Sequence, residues 1–526
     1  MRKLGITIVT AMLLSLTTLT AVAQENLSPQ GCRRGTPRQQ SIHLSRGTSV
    51  DMTVGGDFYR GERHQLTVLV AFNDCSFVGD EAATLEQWDK IFNTENLTEE
   101  PFKGSVHDYF IDQSYGDFSI VFDLVYVQVS GDIKKYASSY TDDENSQYLV
   151  QDIADILKTR DIDWGKYDWN GDGFINQLLI VYAGHGRHQF IDSELIWPHQ
   201  RRMSIHEKDL QQDVYCEPIP VSSGGKDYMI DSYCALNELG KNDEYDTFGI
   251  ICHEYSHCFG LPDFYGSSYV VGGWDLMDNG FSNGQGYRPC NYSAHERMLM
   301  GWLTPVELTG TTTVTDMPAL ADEPVAYLIR NDGADNEYYI VENRQQKGWD
   351  EDLPGSGIIV FHVDFDKDLW INSLVNIEDT KHYYIFPANN KSSHLTLSGW
   401  AYPYVTTDSH GKESVVNDCL TNTSKPAAVL NNRNTDGKLL MSKPITRMAV
   451  DANGLASFVF MEDTDSQTDM TAPGTLHTRT GDATQEGWYR LDGTRLSGQP
   501  TCKGIYVRPA SGRSQGKDNG RKVVVF

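Results

Sequence analysis

One stretch limits the fold of this chain more than any other: Asp246-Thr247-Phe248-Gly249-Ile250-Ile251-Cys252-His253-Glu254-Tyr255-Ser256-His257-Cys258-Phe259-Gly260-Leu261-Pro262-Asp263. It holds His-Glu-x-x-His, continued as x-x-Gly-x-x-Asp. On a helix His253 and His257 stand one turn apart on the same side. Two imidazoles can then bind one zinc ion, with Glu254 beside it to accept a proton from a water. Phe248, Ile251, Cys252, Tyr255 and Phe259 follow the spacing of a buried helical stripe, and Asp246 is a good N-cap. Gly249, His253, Ser256 and Gly260 lie on the opposite side. Gly260 can adopt the positive φ that ends a helix, and Pro262 stops the helix from resuming. The turn can return Asp263 to the metal as third ligand. A buried helix with two incidental histidines is the plainer reading, but the added Gly and Asp make chance roughly a hundredfold rarer.

Downstream, Gly272-Gly273-Trp274-Asp275-Leu276-Met277-Asp278 is a Gly-flanked turn with Met277 placed 14 residues after Asp263. That is the pattern of a Met-turn, an apolar floor beneath zinc. Ala294 to Trp302 reads as a closing helix, and its Glu296 is the rival third ligand. Upstream, Asp168-Trp169-Asn170-Gly171-Asp172-Gly173-Phe174-Ile175-Asn176 resembles the start of an EF-hand-type calcium loop. Asp168, Asn170, Asp172 and Asn176 would supply oxygens, but Leu179 stands where the bidentate Glu belongs. The alternative is a tight Asx/Gly turn.

Around this centre the chain divides by composition. Residues 1–23 read as a signal peptide: basic Arg2 and Lys3, an apolar stretch from Ile6 to Ala21, and an Ala21-Val22-Ala23 cleavage site. Residues 24–60 are polar and suit a propeptide, in which the Cys32 thiolate could block the fourth zinc position and hold the enzyme latent. From 61 to 305, strands (Gln65 to Phe72, Phe118 to Val129, Phe174 to Ala183) alternate with helices (Ser105 to Ser114, Tyr148 to Arg160), giving an α/β (α+β) catalytic domain. Residues 306–462 carry short β-rich runs between Gly, Asp and Asn turns, read as an antiparallel β-sandwich of about eight strands. Residues 463–482 read as a linker, and 483–526 as a small hairpin-rich β module.

The formal net charge of −28 argues against nucleic acid as a partner. No later run is long enough to span a membrane, so the mature protein is expected outside the cell or at its surface. The nine cysteines are an odd number; export permits disulfides but leaves at least one thiol unpaired within the chain.

With His253-Glu-x-x-His257-x-x-Gly-Leu-Pro-Asp263 and Trp274-Asp-Leu-Met277 in view, the chain resembles the immune inhibitor A family of secreted bacterial metallopeptidases. Gly104-Ser-Val-His-Asp-Tyr-Phe110, Ser114-Tyr-Gly116, Trp197-Pro-His199, Glu296-Arg-Met298 and Gly301-Trp302 add to the likeness. So do Glu342-Asn-Arg344, Leu353-Pro-Gly355 and His362-Val-Asp364. The resemblance runs from about 61 to 462. It implies a zinc endopeptidase of metzincin-like fold with His253, His257 and Asp263 as ligands and Glu254 as base. The tail is similar to the C-terminal sorting modules of Bacteroidetes secreted proteins, which implies passage through an outer-membrane secretion machinery.

Protein or peptide substrates follow, cleaved by a Glu-activated water. The backbone at Gly184-His185-Gly186 is a place where an extended substrate could pair as an added strand. Two other readings stay open: a non-catalytic adhesin or glycan-binding protein on a protease scaffold, and a zinc amidase acting on cell-wall peptides.

Overall fold

The computed structural model describes residues 57–137, 145–190, 194–204, 217–245, 247–266, 270–371, 373–377 and 380–462, with the backbone of four short strands between 488 and 525. Signal peptide, Cys32, Asp246, linker and all of the expected propeptide except residues 57–60 lie outside the described residues; Tyr59 is buried in the core, its hydroxyl donating to the Phe259 carbonyl at 3.0 Å. Contacts divide the chain into one unit running to Glu462 and a second, Asp463–Phe526. The expected catalytic and sandwich domains therefore fall within one compact unit.

Its first layer is a five-stranded sheet. Strands β1 (Gly61–Ala71), β2 (Phe118–Gln128) and β3 (Leu178–His185) are followed by β4 (His199–Arg202), the hairpin β5 (Ile219–Ser223) and β6 (Lys226–Ile230), and β7 (Ser232–Leu239). The order is β2-β1-β3-β7-β4, parallel except for β4, which closes the sheet antiparallel to β7. Both faces are covered, which explains the near-continuous apolar run Leu66-Thr-Val-Leu-Val-Ala-Phe72. Leu69 and Ala71 pack with helices α1 (Glu81–Asn93) and α2 (Val106–Gln113), whereas Leu66, Val68 and Val70 pack with α3 (Ser146–Leu157). Helix α2 begins in a capping box: the Ser105 hydroxyl accepts from Asp108 N and the Asp108 carboxylate from Ser105 N. Helix α1 is not among the sequence expectations. Its signals were Asp80, whose carboxylate caps Ala83 N at 3.0 Å, and the buried spacing Thr84, Trp88, Ile91, Phe92.

The later half forms two further sheets. β8 (Val306–Glu307), β10 (Tyr327–Asn331), β11 (Ala334–Arg344), β12 (Gly357–Asp364) and β13 (Tyr383–Ile385) make one, in order β13-β12-β11-β10-β8. β9 (Thr312–Met317), β16 (Ile445–Val450) and β17 (Ala456–Phe460) make another; β14 (Tyr404–Thr407) and β15 (Glu413–Asn417) form a separate hairpin. Tyr339, Val341, Ile358 and Val360 face the three-stranded sheet in a shared core with Val314, Phe458 and Phe460. Their neighbours Tyr338, Ile340, Ile359, Phe361 and Tyr383 face the other way, into the core that holds α1 and α2. The five-stranded sheet is thus buried on both faces, with one face against the catalytic half. Each large side chain buried in this way contributes roughly 1.5–3 kcal/mol, so the two halves stabilise each other.

In the second unit, β18 (Trp488–Arg490), β19 (Arg495–Leu496), β20 (Gly504–Arg508) and β21 (Arg521–Val525) form an antiparallel sheet in the order β19-β18-β20-β21.

Candidate metal centre

The His-Glu-x-x-His segment is helix α4 (Phe248–Ser256), continued by a 3-10 turn from His257 to Phe259. Thr247 stands at the N-cap position without a side-chain hydrogen bond. Gly260 ends the turn at φ +87°, and the chain reverses to bring Asp263 back. The expected stripe Phe248, Ile251, Cys252, Tyr255 and Phe259 is buried in the main core, and His253 and Glu254 on the other sides are buried as well. Gly249 is required by proximity: a Cβ there would lie 1.9 Å from the Phe281 carbonyl oxygen.

His253, His257 and Asp263 meet with their ligating atoms all within 4.8 Å of one another. His253 Nε2 and His257 Nε2 stand 3.2 and 3.4 Å from Asp263 Oδ1. On the far side of each ring, Nδ1 contacts a backbone carbonyl at 2.7 Å, Leu276 for His253 and Leu261 for His257. Those carbonyls accept the Nδ1 proton and aim each Nε2 inward, an arrangement that prepares imidazole to bind a cation. The Nε2 atoms and both Asp263 oxygens have no hydrogen-bond partner beyond one another. Burial disfavours a charged His257, yet the Asp263 carboxylate in contact, helped by Glu254, lifts it to about 9. Burial would push Asp263 up, but the two histidines hold it well below the carboxylate range. A pocket that organises charge this way, with orphaned ligand atoms, fits a divalent cation held by two nitrogens and an oxygen.

Met277 is fully buried beside Leu276, and its carbonyl accepts from Phe264 N at 2.8 Å, tying this turn to the residue after Asp263. Burial pushes Asp275 up to about 7 and Asp278 to about 6. Glu296, the rival ligand, is elsewhere engaged. It sits in helix α5 (Ala294–Leu299), where its Oε2 accepts from Ser293 N at 2.7 Å in a capping box.

Sequence reasoning did not anticipate what braces the turn from behind. Arg344, wholly buried on β11, grips Asp350 with two bonds of 2.8 and 2.7 Å and Glu342 at 3.0 Å. It also donates to the carbonyls of Trp274 (3.3 Å) and Asn291 (3.1 Å). Glu342 in turn accepts from Ala294 N at 2.6 Å. Glu342 and Arg344 thus tie the Met277 turn and α5 to the β-rich half.

The proposed calcium loop closes largely on itself. Asp168 accepts from Asp172 N and Gly173 N, both at 3.0 Å, Asn176 from Trp169 N at 2.8 Å, and Asp172 from Phe174 N at 2.8 Å. The Lys226 ammonium lies 3.5 Å from Asp168. The oxygens keep lone pairs beside these backbone donors, so a cation at Asp168 would compete with the Lys226 ammonium. Adding millimolar calcium after chelation is therefore expected to leave the melting temperature unchanged; a rise of several degrees would show that the loop loads.

β3 lies between β1 and β7; its pairing with β1 runs only to Tyr182, while on the other side His185 pairs with Leu239. His185 contacts Asp243 at 3.0 Å and the Gly240 carbonyl at 3.1 Å. Among the described residues, Cys75, Cys234, Cys252, Cys258, Cys290 and Cys419 are free thiols, four of them buried.

Comparison with known proteins bears on the same region. Residues 84–302 match the immune inhibitor A peptidase M6 catalytic domain. The chain is also 28% identical over 249 residues to "Immune inhibitor A" of Bacillus thuringiensis subsp. alesti, an alignment covering 42% of this chain and 33% of that relative. The chain thus spans about a third of the length of the curated relative it matches. These similarities support a peptidase of the metallopeptidase type. The family match takes in the helix, the Asp263 turn and the Met277 turn, and it stops before the β-rich half. No helix among the described residues is long and apolar enough to cross a membrane.

Proposed function

We propose that the chain is a secreted zinc endopeptidase in which His253, His257 and Asp263 hold the metal and Glu254 is the catalytic base. The observation that carries this reading is the convergence of three buried ligand groups whose outer nitrogens are already fixed by backbone carbonyls. Zinc, when bound, polarises the scissile carbonyl and lowers the pKa of a bound water to about 7. The rest falls to the chain's own residues. Glu254, adjacent to His253 and buried, accepts the proton of the attacking water and passes it to the leaving amine. Met277 and its turn form the floor that fixes His253 through Leu276. Among the described residues β4 ends its sheet, so it can pair with an extended peptide. The 1–23 segment supports export, and the C-terminal sheet is offered as the sorting element.

Casein hydrolysis by the purified chain tests the reading. Activity should vanish with 1,10-phenanthroline and return with zinc. Hydrolysis indifferent to chelation, or zinc retained with no cleavage of any protein, would reject it; the second result favours the binding-protein reading.

A further inference from the structure

The loop that carries Asp263 is held from the β-rich half of the molecule. Asp263 N donates to Ser373 Oγ at 3.3 Å, 110 residues away and wholly buried. One residue on, Phe264 is held on both sides. Its N–H donates to the Met277 carbonyl, and its carbonyl accepts from Asn376 Nδ2 at 2.7 Å. Asn376 is buried with its hydrogen-bonding capacity fully used: Nδ2 also donates to the Tyr383 carbonyl (2.7 Å), and Oδ1 accepts from His382 N and Tyr383 N (both 3.1 Å). Asn376 is thereby fixed to the start of β13 before it touches the metal loop. Contact is close along the loop, since a Cβ on Gly266 would lie 2.1 Å from the Asn376 carbonyl oxygen. The Phe264 ring packs on Tyr383 with centroids 4.0 Å apart.

Ser373 carries a further sign. It is a serine at φ +52°, a region that costs a non-glycine residue free energy and persists where the surroundings enforce it. Glycine would relieve that cost but would lack the hydroxyl that meets Asp263.

We infer that Ser373 and Asn376 are positioning residues for the third metal ligand, so that the metal centre is completed by the β-rich half. The inference rests on the zinc reading above. It adds that the segment resembling a peptidase catalytic domain, which ends near residue 302, does not by itself hold Asp263 in place. Ser373 and Asn376 act through the backbone of residues 263 and 264; neither touches the reacting atoms.

The test is the rate at which zinc passes from the full-length protein to a chromogenic chelator, measured for wild type, Ser373→Gly, Asn376→Ala and Asn343→Ala. Asn343 is a control of similar burial that bridges the carbonyls of Met317 and Gly454, away from the metal loop. Ser373→Gly should fold and melt close to wild type, because relief of the positive φ offsets the lost hydrogen bond. Its zinc release should nonetheless be about 10- to 100-fold faster, the loss seen when a group that orients a metal ligand is removed. Excess zinc should restore most of its activity. Asn343→Ala should lower the melting temperature and leave zinc release unchanged. Wild-type release rates in both Ser373→Gly and Asn376→Ala would overturn the inference while leaving the zinc reading intact. A wild-type protein that takes up no zinc would overturn both.

Discussion

Glu254→Gln is expected to lower kcat for casein hydrolysis by about 100- to 10,000-fold, the range general-base catalysis contributes, while zinc content stays at that of wild type. The two side chains are nearly isosteric, so the buried position is refilled without a cavity, and no metal ligand is altered. What disappears is the capacity to take a proton from water. Because Glu254 acts on the water and not on the bound peptide, KM should change far less than kcat. A loss below tenfold would remove Glu254 from the role of base. A loss accompanied by missing zinc would mean that the residue is structural.

The second large effect falls outside the peptidase motif. Removing Arg344 leaves Glu342 and Asp350 as two buried carboxylates without their shared cation, and strips donors from the carbonyls of Trp274 and Asn291. Breaking a buried ion pair by deleting one partner costs about 3–5 kcal/mol. Arg344→Ala should therefore lose about that much in urea unfolding. Replacing all three charged groups by apolar ones should recover only part of it, since Ala294 N and Asn291 N would lose their carboxylate acceptors. A change below about 1 kcal/mol on removing Arg344, the range of exposed pairs, would contradict this account of how the Met277 turn is braced.

The metal helix was legible in the sequence because local rules determine it. Motif spacing sets which side chains share a face, and Gly260 marks the end of the turn through its φ of +87°. The return of Asp263 to the two histidines was legible for the same reason, since it follows directly on the turn that Gly260 ends. The order of the sheet was less accessible. The run from Phe174 to Ala183 reads as a strand and the structure has one at Leu178–His185, but only the pairing shows that it lies between β1 and β7. The Asx-rich loop 168–176 carries the same side chains whether they face an ion or their own backbone. Its composition alone could not separate the two. The support of Asp263 by Ser373 was illegible in principle, because contacts across 110 residues leave no local periodicity. The same holds for Arg344, whose motif was visible while its partners on the Met277 turn were not.

The most direct test of the central claim is an anomalous difference map from crystals of the purified chain, collected on either side of the zinc absorption edge. The account predicts one strong peak in the catalytic half, about 2.0–2.2 Å from His253 Nε2, His257 Nε2 and an Asp263 oxygen, and no peak in a His253→Ala crystal grown alike. Zinc on cysteine sulfurs, zinc bound by Glu296 in place of Asp263, or no zinc after loading would contradict it.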